Sequence, residues 1–194
     1  MSVSAKERVV LVDEDNQPIG WEHKDQVHHQ ATPLHRAFSV FLFDDSGRML
    51  LQQRALIKPT WGGVWSNACC GHPAPGEATA AAAQRRLREE LGLSEVSLAL
   101  ALPDFRYRAC WHGVWENEIC PVFVGRCLNP PQPNPAEVAA VRWIDWAEFA
   151  EDCLRDDQAV PAYSPWCRWE ARQLQHSPVA REYITPATQL LAAS

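Results

Sequence analysis

Residues 67–72 read Asn67, Ala68, Cys69, Cys70, Gly71, His72, and a second group follows as Arg85, Arg86, Leu87, Arg88, Glu89, Glu90, Leu91, Gly92, Leu93. A thiol can give or take a proton, an imidazole can shuttle a proton or bind a metal, and carboxylates can hold a divalent cation. Arginine adds a planar fork that matches phosphate oxygens in pairs. On a helix, Arg86 and Glu90 share one face and Leu87 and Leu91 the neighbouring apolar face. Taken alone, such a pair is an ordinary exposed ion pair. The spacing Gly71, five residues, Glu77, seven residues, Arg85 is more than a loose charge pair predicts. Glu77 itself reads as a structural residue near the helix start.

Other candidates lie elsewhere along the chain. Glu116 and Glu118 alternate onto one side of an extended run, with Ile119 on the other. Two like charges so close call for a cation or a proton between them; a solvated strand edge is the alternative. His28, His35 and His72 are candidate imidazole ligands, although their spacing matches no standard zinc pattern. Arg54, Lys58 and Arg86 are candidate phosphate ligands, with Lys24 a fourth; ordinary surface charge is the competing reading for Lys58. Cys70 precedes Gly71 and His72 in a loop, where local positive potential would tune its thiol; a buried inert cysteine is the alternative.

The elements that must position these groups follow from punctuation and pattern. Residues 8–12 and 19–22 read as short strands, and residues 37–43 and 49–53 as a hairpin across the turn at 44–47. Residues 77–91 are alanine-rich and unbroken, with Gly92 as a helix stop. Residues 105–108, 116–126 and 141–146 read as strands, with a helix from about Ala147. Ser164 and Pro165 are an N-cap and a first-turn proline opening a helix over 166–175. Strands and helices interleave without regular alternation, which fits an α/β (α+β) architecture, a mixed sheet flanked by helices.

At 194 residues the chain suits a single domain, 1–194, with a core over about 8–176, an N-terminal tail 1–7 and a C-terminal segment 177–194. A net charge of −6 argues against a general nucleic-acid or anionic-membrane surface, so any phosphate site must be a local basic patch. No apolar run approaches the ~20 residues of a membrane span, and residues 1–8 lack the apolar stretch of a signal peptide. Seven cysteines cannot all pair within one chain, which points to a reducing cytoplasm with Cys110, Cys127, Cys153 and Cys167 as packing residues or surface thiols.

The spacing from Gly71 resembles the Nudix box, Gly-x5-Glu-x7-Arg-Glu-U-x-Glu-Glu-x-Gly-U with U aliphatic, except that Arg86 stands where the box has a glutamate. That exchange removes a metal ligand and adds a phosphate fork, favouring diphosphate binding without hydrolysis. Residues 34–39, 53–55, 65–73, 103–108, 116–121 and 164–166 extend the likeness over about residues 8–174. Together they resemble the type 1 isopentenyl diphosphate isomerases, a branch of the Nudix fold. The resemblance implies interconversion of isopentenyl and dimethylallyl diphosphate through a tertiary carbocation, in isoprenoid biosynthesis. It implies Cys70 and Glu118 as acid and base on opposite faces, Tyr107 orienting the proton at Glu118, and Trp166 facing the cation, a contact worth ~2 kcal/mol when desolvated. His28, His35, His72, Glu116 and Glu118 would hold one tight divalent metal, Mg, Mn or Zn. A second Mg2+ would arrive with the diphosphate, held by Glu90 and the Cys70 carbonyl, while Arg54, Lys58, Arg86 and Lys24 neutralise charge. The implied partner is a small allylic or homoallylic diphosphate, with no nucleic acid or membrane, for a cytoplasmic monomer or weak dimer. Two departures are the extra thiol Cys69 and the pair Trp111, His112 before Gly113. A Nudix pyrophosphohydrolase and a non-catalytic diphosphate- or metal-binding module are the rival expectations.

Overall fold

The computed structural model describes residues 7–154 and 163–192; residues 1–6 of the expected tail and 193–194 of the C-terminal segment lie outside the described residues. In chain order the first elements are β1 (Arg8–Val12), β2 (Pro18–His23), α1 (Lys24–Val27), β3 (His35–Arg36), β4 (Phe38–Phe43), β5 (Met49–Arg54), β6 (Trp65–Ser66), β7 (Cys69–Gly71) and α2 (Thr79–Leu91). Then come β8 (Leu98–Leu102), β9 (Arg106–Trp111), β10 (Val114–Ile119), β11 (Val122–Arg126), β12 (Val138–Ile144), α3 (Trp146–Leu154), α4 (Pro165–Leu174), α5 (Pro178–Ile184) and α6 (Ala187–Ala192). Among the described residues no helix is long and apolar enough to cross a membrane.

The strands form two mixed sheets, ordered β2-β1-β3-β10-β9 and β12-β5-β4-β11-β8. The run 116–126, expected as one strand, is divided at Cys120 and Pro121 between β10 in the first sheet and β11 in the second. Proline has no N–H for a ladder, so a break there is natural. The chain makes the same passage at Ala37, between β3 and β4. The two crossings run side by side: β3 pairs parallel with β10 and β4 with β11, bridged by Ala37 N–H to Ile119 O at 2.9 Å and Ser39 N–H to Pro121 O at 3.1 Å.

The expected β4–β5 hairpin forms only at its turn, where Phe43 opposes Met49. Beyond that pair the strands splay apart and a later segment fills the gap, β6 pairing with β5 and β7 with β4. This wedge sets Cys70 directly opposite Ser39. Gly71 must be glycine here, because a Cβ would lie 2.9 Å from the Phe38 ring and 3.2 Å from Arg86 Cγ.

Every residue of β4 is buried, and its alternation feeds two cores. Phe38, Val40 and Leu42 face Ala82, Ala83, Leu87 and Leu91 of α2. Phe41 and Phe43 join Trp146, Phe149, Trp166 and Cys167 beneath α3 and α4. Helix α2 begins at Thr79, two residues later than the pattern suggested, because Glu77 is occupied outside it: its carboxylate accepts the Ala74 N–H at 2.8 Å and pairs with Arg85 at 2.9 Å. It ends as expected at Gly92, whose φ of +67° suits a left-handed cap. Helix α5, capped by Ser177, carries packed structure past residue 176; Ser177 also donates to the Ala101 carbonyl of β8 at 3.2 Å.

Candidate functional site

His28 follows α1, His35 opens β3, Glu116 and Glu118 stand two apart on β10, and His72 follows β7. Register does much of the placing. Glu118 is the cross-strand partner of His35 on one side and Tyr107 on the other, and directly opposed residues project on one face of a sheet. The three imidazoles meet with ring centroids 5.2 to 5.5 Å apart. Glu118 Oε1 lies 3.1 Å from His72 Nε2 and 3.4 Å from His35 Nε2, and Glu116 Oε2 lies 2.9 Å from His28 Nε2. One potential ligand atom from each of His28, His35, His72 and Glu118 falls within 4.8 Å of all the others.

The far ring nitrogens decide how this cluster presents itself. His35 Nδ1 faces the Pro33 carbonyl at 2.9 Å and His28 Nδ1 the Lys24 carbonyl at 3.3 Å. A carbonyl can only accept, so each Nδ1 carries a proton and each Nε2, turned into the cluster, is the atom that could bind a cation. Both Nε2 atoms are buried and close to carboxylate oxygens, yet neither has an aligned hydrogen bond among the described residues. Imidazole nitrogens and carboxylate oxygens converge there, so the residues present fit a divalent ion with mixed nitrogen and oxygen preference. Burial pushes His72 down to about 3, keeping it a neutral donor. For Glu118, burial opposes the charge, but His35 and His72 outweigh it and hold the carboxyl well below the usual range.

Cys70 lies on β7, two residues before His72. Its Sγ donates to Asn67 Oδ1 at 3.1 Å and faces Ser39 Oγ at 3.5 Å. Asn67 is fixed by donating to the carbonyls of Val40 and Cys69, and its Oδ1 also accepts from Ser66, which reaches Ser164 at the start of α4. The expected tuning of this thiol by positive potential is outweighed: burial pushes Cys70 up to about 12, against the pull of Arg54. The group is therefore a held proton rather than a ready thiolate. Cys69 points the other way, fully buried in the core under α2.

Trp166, 3% exposed, stacks on Tyr107 with centroids 5.6 Å apart and planes at 28°, and meets Trp61 at 5.1 Å and 85°. Trp61 lies 4.7 Å from Trp111. The indole N–H groups of Trp61 and Trp166 are buried with no acceptor among the described residues. Trp61 also holds φ at +55°, a left-handed conformation that a bulky side chain adopts only when surrounding packing enforces it. His112, φ +48°, occupies the β9–β10 turn against Trp111 and does not join the imidazole cluster.

Three of the four candidate phosphate ligands, Arg86, Lys58 and Lys24, already hold carboxylates. Arg86, buried on α2, bonds Glu90 through Nε at 3.0 Å and also reaches Glu89 and Glu137 at 3.0 Å and Glu7 at 3.4 Å. Burial works against its charge, and Glu90 leads the groups that outweigh it. Lys58 pairs with Glu137 and Lys24 with Glu7. Gln52 donates to the other oxygen of Glu90 at 3.1 Å. Arg54, at the end of β5, has a buried Nε without a partner among the described residues.

Comparison with known proteins places this geometry. Residues 33–167 match the NUDIX domain model. The chain is 51% identical over 169 residues to the isopentenyl-diphosphate Delta-isomerase of Saccharopolyspora erythraea, covering 87% of this chain and 86% of that one. It is 46% identical over 182 residues to the protein of the same name from Brevibacterium linens, covering 93% and 97%. The chain belongs to the isopentenyl-diphosphate Delta-isomerase branch of the Nudix family. Solved structures agree on the Nudix fold: one from Deinococcus radiodurans has a TM-score of 0.67 at 18% identity, covering 86% of this chain and 98% of that one. The MutT protein of Methanosarcina mazei has a TM-score of 0.60 at 16% identity, covering 74% and 94%.

The structure gathers His28, His35, His72, Glu116 and Glu118 into one cluster and sets Tyr107 and Trp166 in one aromatic group. Arg86, Lys58 and Lys24 form a separate, acid-laced patch with Glu90. Sequence reasoning passed over Trp61, the partnership of Ser39 with Cys70, the carboxylates Glu7 and Glu137, and the buried Glu170. Glu170 alone left a signal, standing four residues after Trp166 on the same helical face; the others became visible only through contacts between distant segments.

Proposed function

We propose that this chain, a single Nudix-type domain, is an isopentenyl-diphosphate Delta-isomerase that interconverts isopentenyl and dimethylallyl diphosphate. The observation that supports the chemistry is the placing of two proton carriers: Cys70, its Sγ held by Asn67 and Ser39, and Glu118, set between His35 and Tyr107 in the sheet. A thiol that burial keeps protonated and a carboxyl that stays ionised suit an acid and a base. Moving the double bond adds a proton to the terminal alkene carbon, giving a tertiary carbocation, and removes one from the methylene on the other side of the cationic carbon. Cys70 and Glu118 take these roles on opposite faces, exchanging them with the direction of reaction, while Tyr107 beside Glu118 orients the proton there. Trp166 and its aromatic neighbours exclude water and offer a π face to the cation.

His28, His35, His72, Glu116 and Glu118 would hold one divalent ion, Mg, Mn or Zn, whose charge fixes the orientation and acidity of Glu118. A second Mg2+, held by Glu90 and the Cys70 carbonyl, would accompany the diphosphate, with Arg54, Lys58, Arg86 and Lys24 neutralising its charge. Those cations must then release Glu7 and Glu137 in exchange for phosphate oxygens. Arg86 in place of the box glutamate speaks against hydrolysis. The enzyme is assigned to the cytoplasm as a monomer or weak dimer, with seven free thiols in keeping with a reducing compartment.

Incubation with isopentenyl diphosphate and Mg2+ in deuterated water, followed by NMR, tests this. Dimethylallyl diphosphate carrying deuterium in its allylic methyl is expected. Release of phosphate or pyrophosphate would point to a hydrolase, and binding without turnover to a non-catalytic module.

A further inference from the structure

Glu170 sits on α4 one turn after Trp166 and is 0% exposed. A carboxyl so deeply buried is rarely left without a cation, yet no cation is among the groups acting on it. The groups that face it are Glu118 from β10, Cys120 from the crossing into β11, Ser39 from β4, Cys70 from β7 and Cys167 on its own helix. Cys120 Sγ lies 3.9 Å from its Oε1. The Ser39 hydroxyl acts on the same carboxyl, although Oε2 has no well-aligned partner among the described residues. Ser39 Oγ in turn lies 3.5 Å from both Cys70 Sγ and Cys120 Sγ. A continuous path of polar atoms therefore joins Glu170 to Cys70.

Full burial with no cation beside it keeps the Glu170 carboxyl protonated, well above the usual carboxyl range. A protonated carboxyl has one hydrogen bond to donate. Given to Ser39 Oγ, it turns the Ser39 proton toward Cys70. The isomerase chemistry lacks such a donor otherwise. When the thiol gives up its proton in a dry pocket, its sulfur needs a hydrogen bond. Its nearer neighbour, Asn67 Oδ1, can only accept, and the Asn67 amide is committed to the carbonyls of Val40 and Cys69.

We propose that Glu170 is a positioning residue for this reaction, donating to Ser39 so that the Ser39 hydroxyl donates in turn to Cys70 Sγ. This rests on the isomerase reading, and wild-type turnover must be shown first; its absence sinks that reading and says nothing of Glu170. With turnover in hand, kcat, KM, bound metal and thermal midpoint are measured for Glu170→Gln, Glu170→Met, Ser39→Ala and the Glu170→Met/Ser39→Ala double variant. Gln keeps an N–H donor and should retain kcat within about threefold. Met fills the space without a donor and should lower kcat about tenfold or more at unchanged KM, with no drop in thermal midpoint. Ser39→Ala should match that loss, and the double variant should be no slower than Ser39→Ala alone. Wild-type kcat in the Met variant, a Gln variant as slow as Met, or additive losses in the double variant would each overturn the proposal. So would a kcat loss that tracks a fall in thermal midpoint, the mark of a merely structural role.

Discussion

Tyr107 lies nearly parallel to Trp166, with centroids 5.6 Å apart and planes 28° apart, so one face of the indole is already covered by a second ring. A cation formed beside Trp166 meets a stacked aromatic pair rather than an isolated ring. Trp166→Phe should keep appreciable turnover, whereas Trp166→Leu, which retains only dispersion, should lose about thirtyfold in kcat for ~2 kcal/mol of lost stabilisation. Substrate affinity should change little, since the contact matters only near the transition state. Equal kcat for the Phe and Leu variants would reduce Trp166 to packing.

Cys69 and Cys70 are adjacent yet serve different layers. Cys70→Ala should abolish isomerisation while the protein stays folded, because the partly buried thiol only flanks the core and spends its contacts on Asn67 and Ser39. Cys69→Ala should keep most activity and lose about 1 kcal/mol of stability from its buried place under α2. Activity assays paired with denaturant titration separate the two, and loss of turnover in both variants with folding intact would reject the assignment.

Arg86→Glu restores the box glutamate on paper. In the fold it would set a fifth carboxylate against Glu7, Glu89, Glu90 and Glu137. Breaking a buried ion pair from one side costs ~3–5 kcal/mol, so the variant should be destabilised and bind substrate weakly without gaining hydrolysis. Phosphate release, isomerisation and urea midpoint on one preparation decide this. Vigorous hydrolysis at wild-type stability would show that this residue alone had set the reaction type.

Glu170 should also leave a mark on stability against pH. Its folded pKa is raised above the ordinary value of 4.5, so above that pH the folded chain keeps a proton that the unfolded chain releases. Stability from this group is complete below about pH 4.5 and falls as pH rises, by at most ~1.4 kcal/mol per unit. Glu170→Gln removes the dependence. Its thermal midpoint relative to wild type should therefore climb as pH rises over the range above about 4.5. A difference that stays flat across that range would place an ordinary, ionised carboxylate at this position.

Much of the scaffold was legible in local pattern, because helix α2 with its Gly92 stop, strands β1 and β2, and helix α4 behind Ser164 and Pro165 all carry their own punctuation. The passage between sheets at Pro121 was hidden inside a continuous apolar run, where periodicity does not reveal which sheet a strand joins. Strand β8 reads Leu98, Ala99, Leu100, Ala101, Leu102, with no polar residue to mark a face. Helix α5 was signalled by Ser177 and Pro178, the same pairing that marked α4, and was passed over. The metal-ligand set could not be drawn from the spacing of His28, His35 and His72; it came from family resemblance, and the fold supplies the reason, since register across two sheets sets these residues side by side.

The wedge of β6 and β7 between the splayed strands has a consequence in time. Ser39 and Cys70 are 31 residues apart, His72 and Glu118 46, and Ser66 and Ser164 98. Closing long loops costs entropy before the contacts they allow can form, so pairings of this kind come slowly. During synthesis, a nascent chain that has not yet reached α4 already contains His28, His35, His72, Glu116 and Glu118. It still lacks Ser164 against Ser66, Trp166 against Tyr107, and Glu170 against Cys120. The ion-binding half can assemble on the ribosome while the thiol half waits for the last quarter of the chain to emerge.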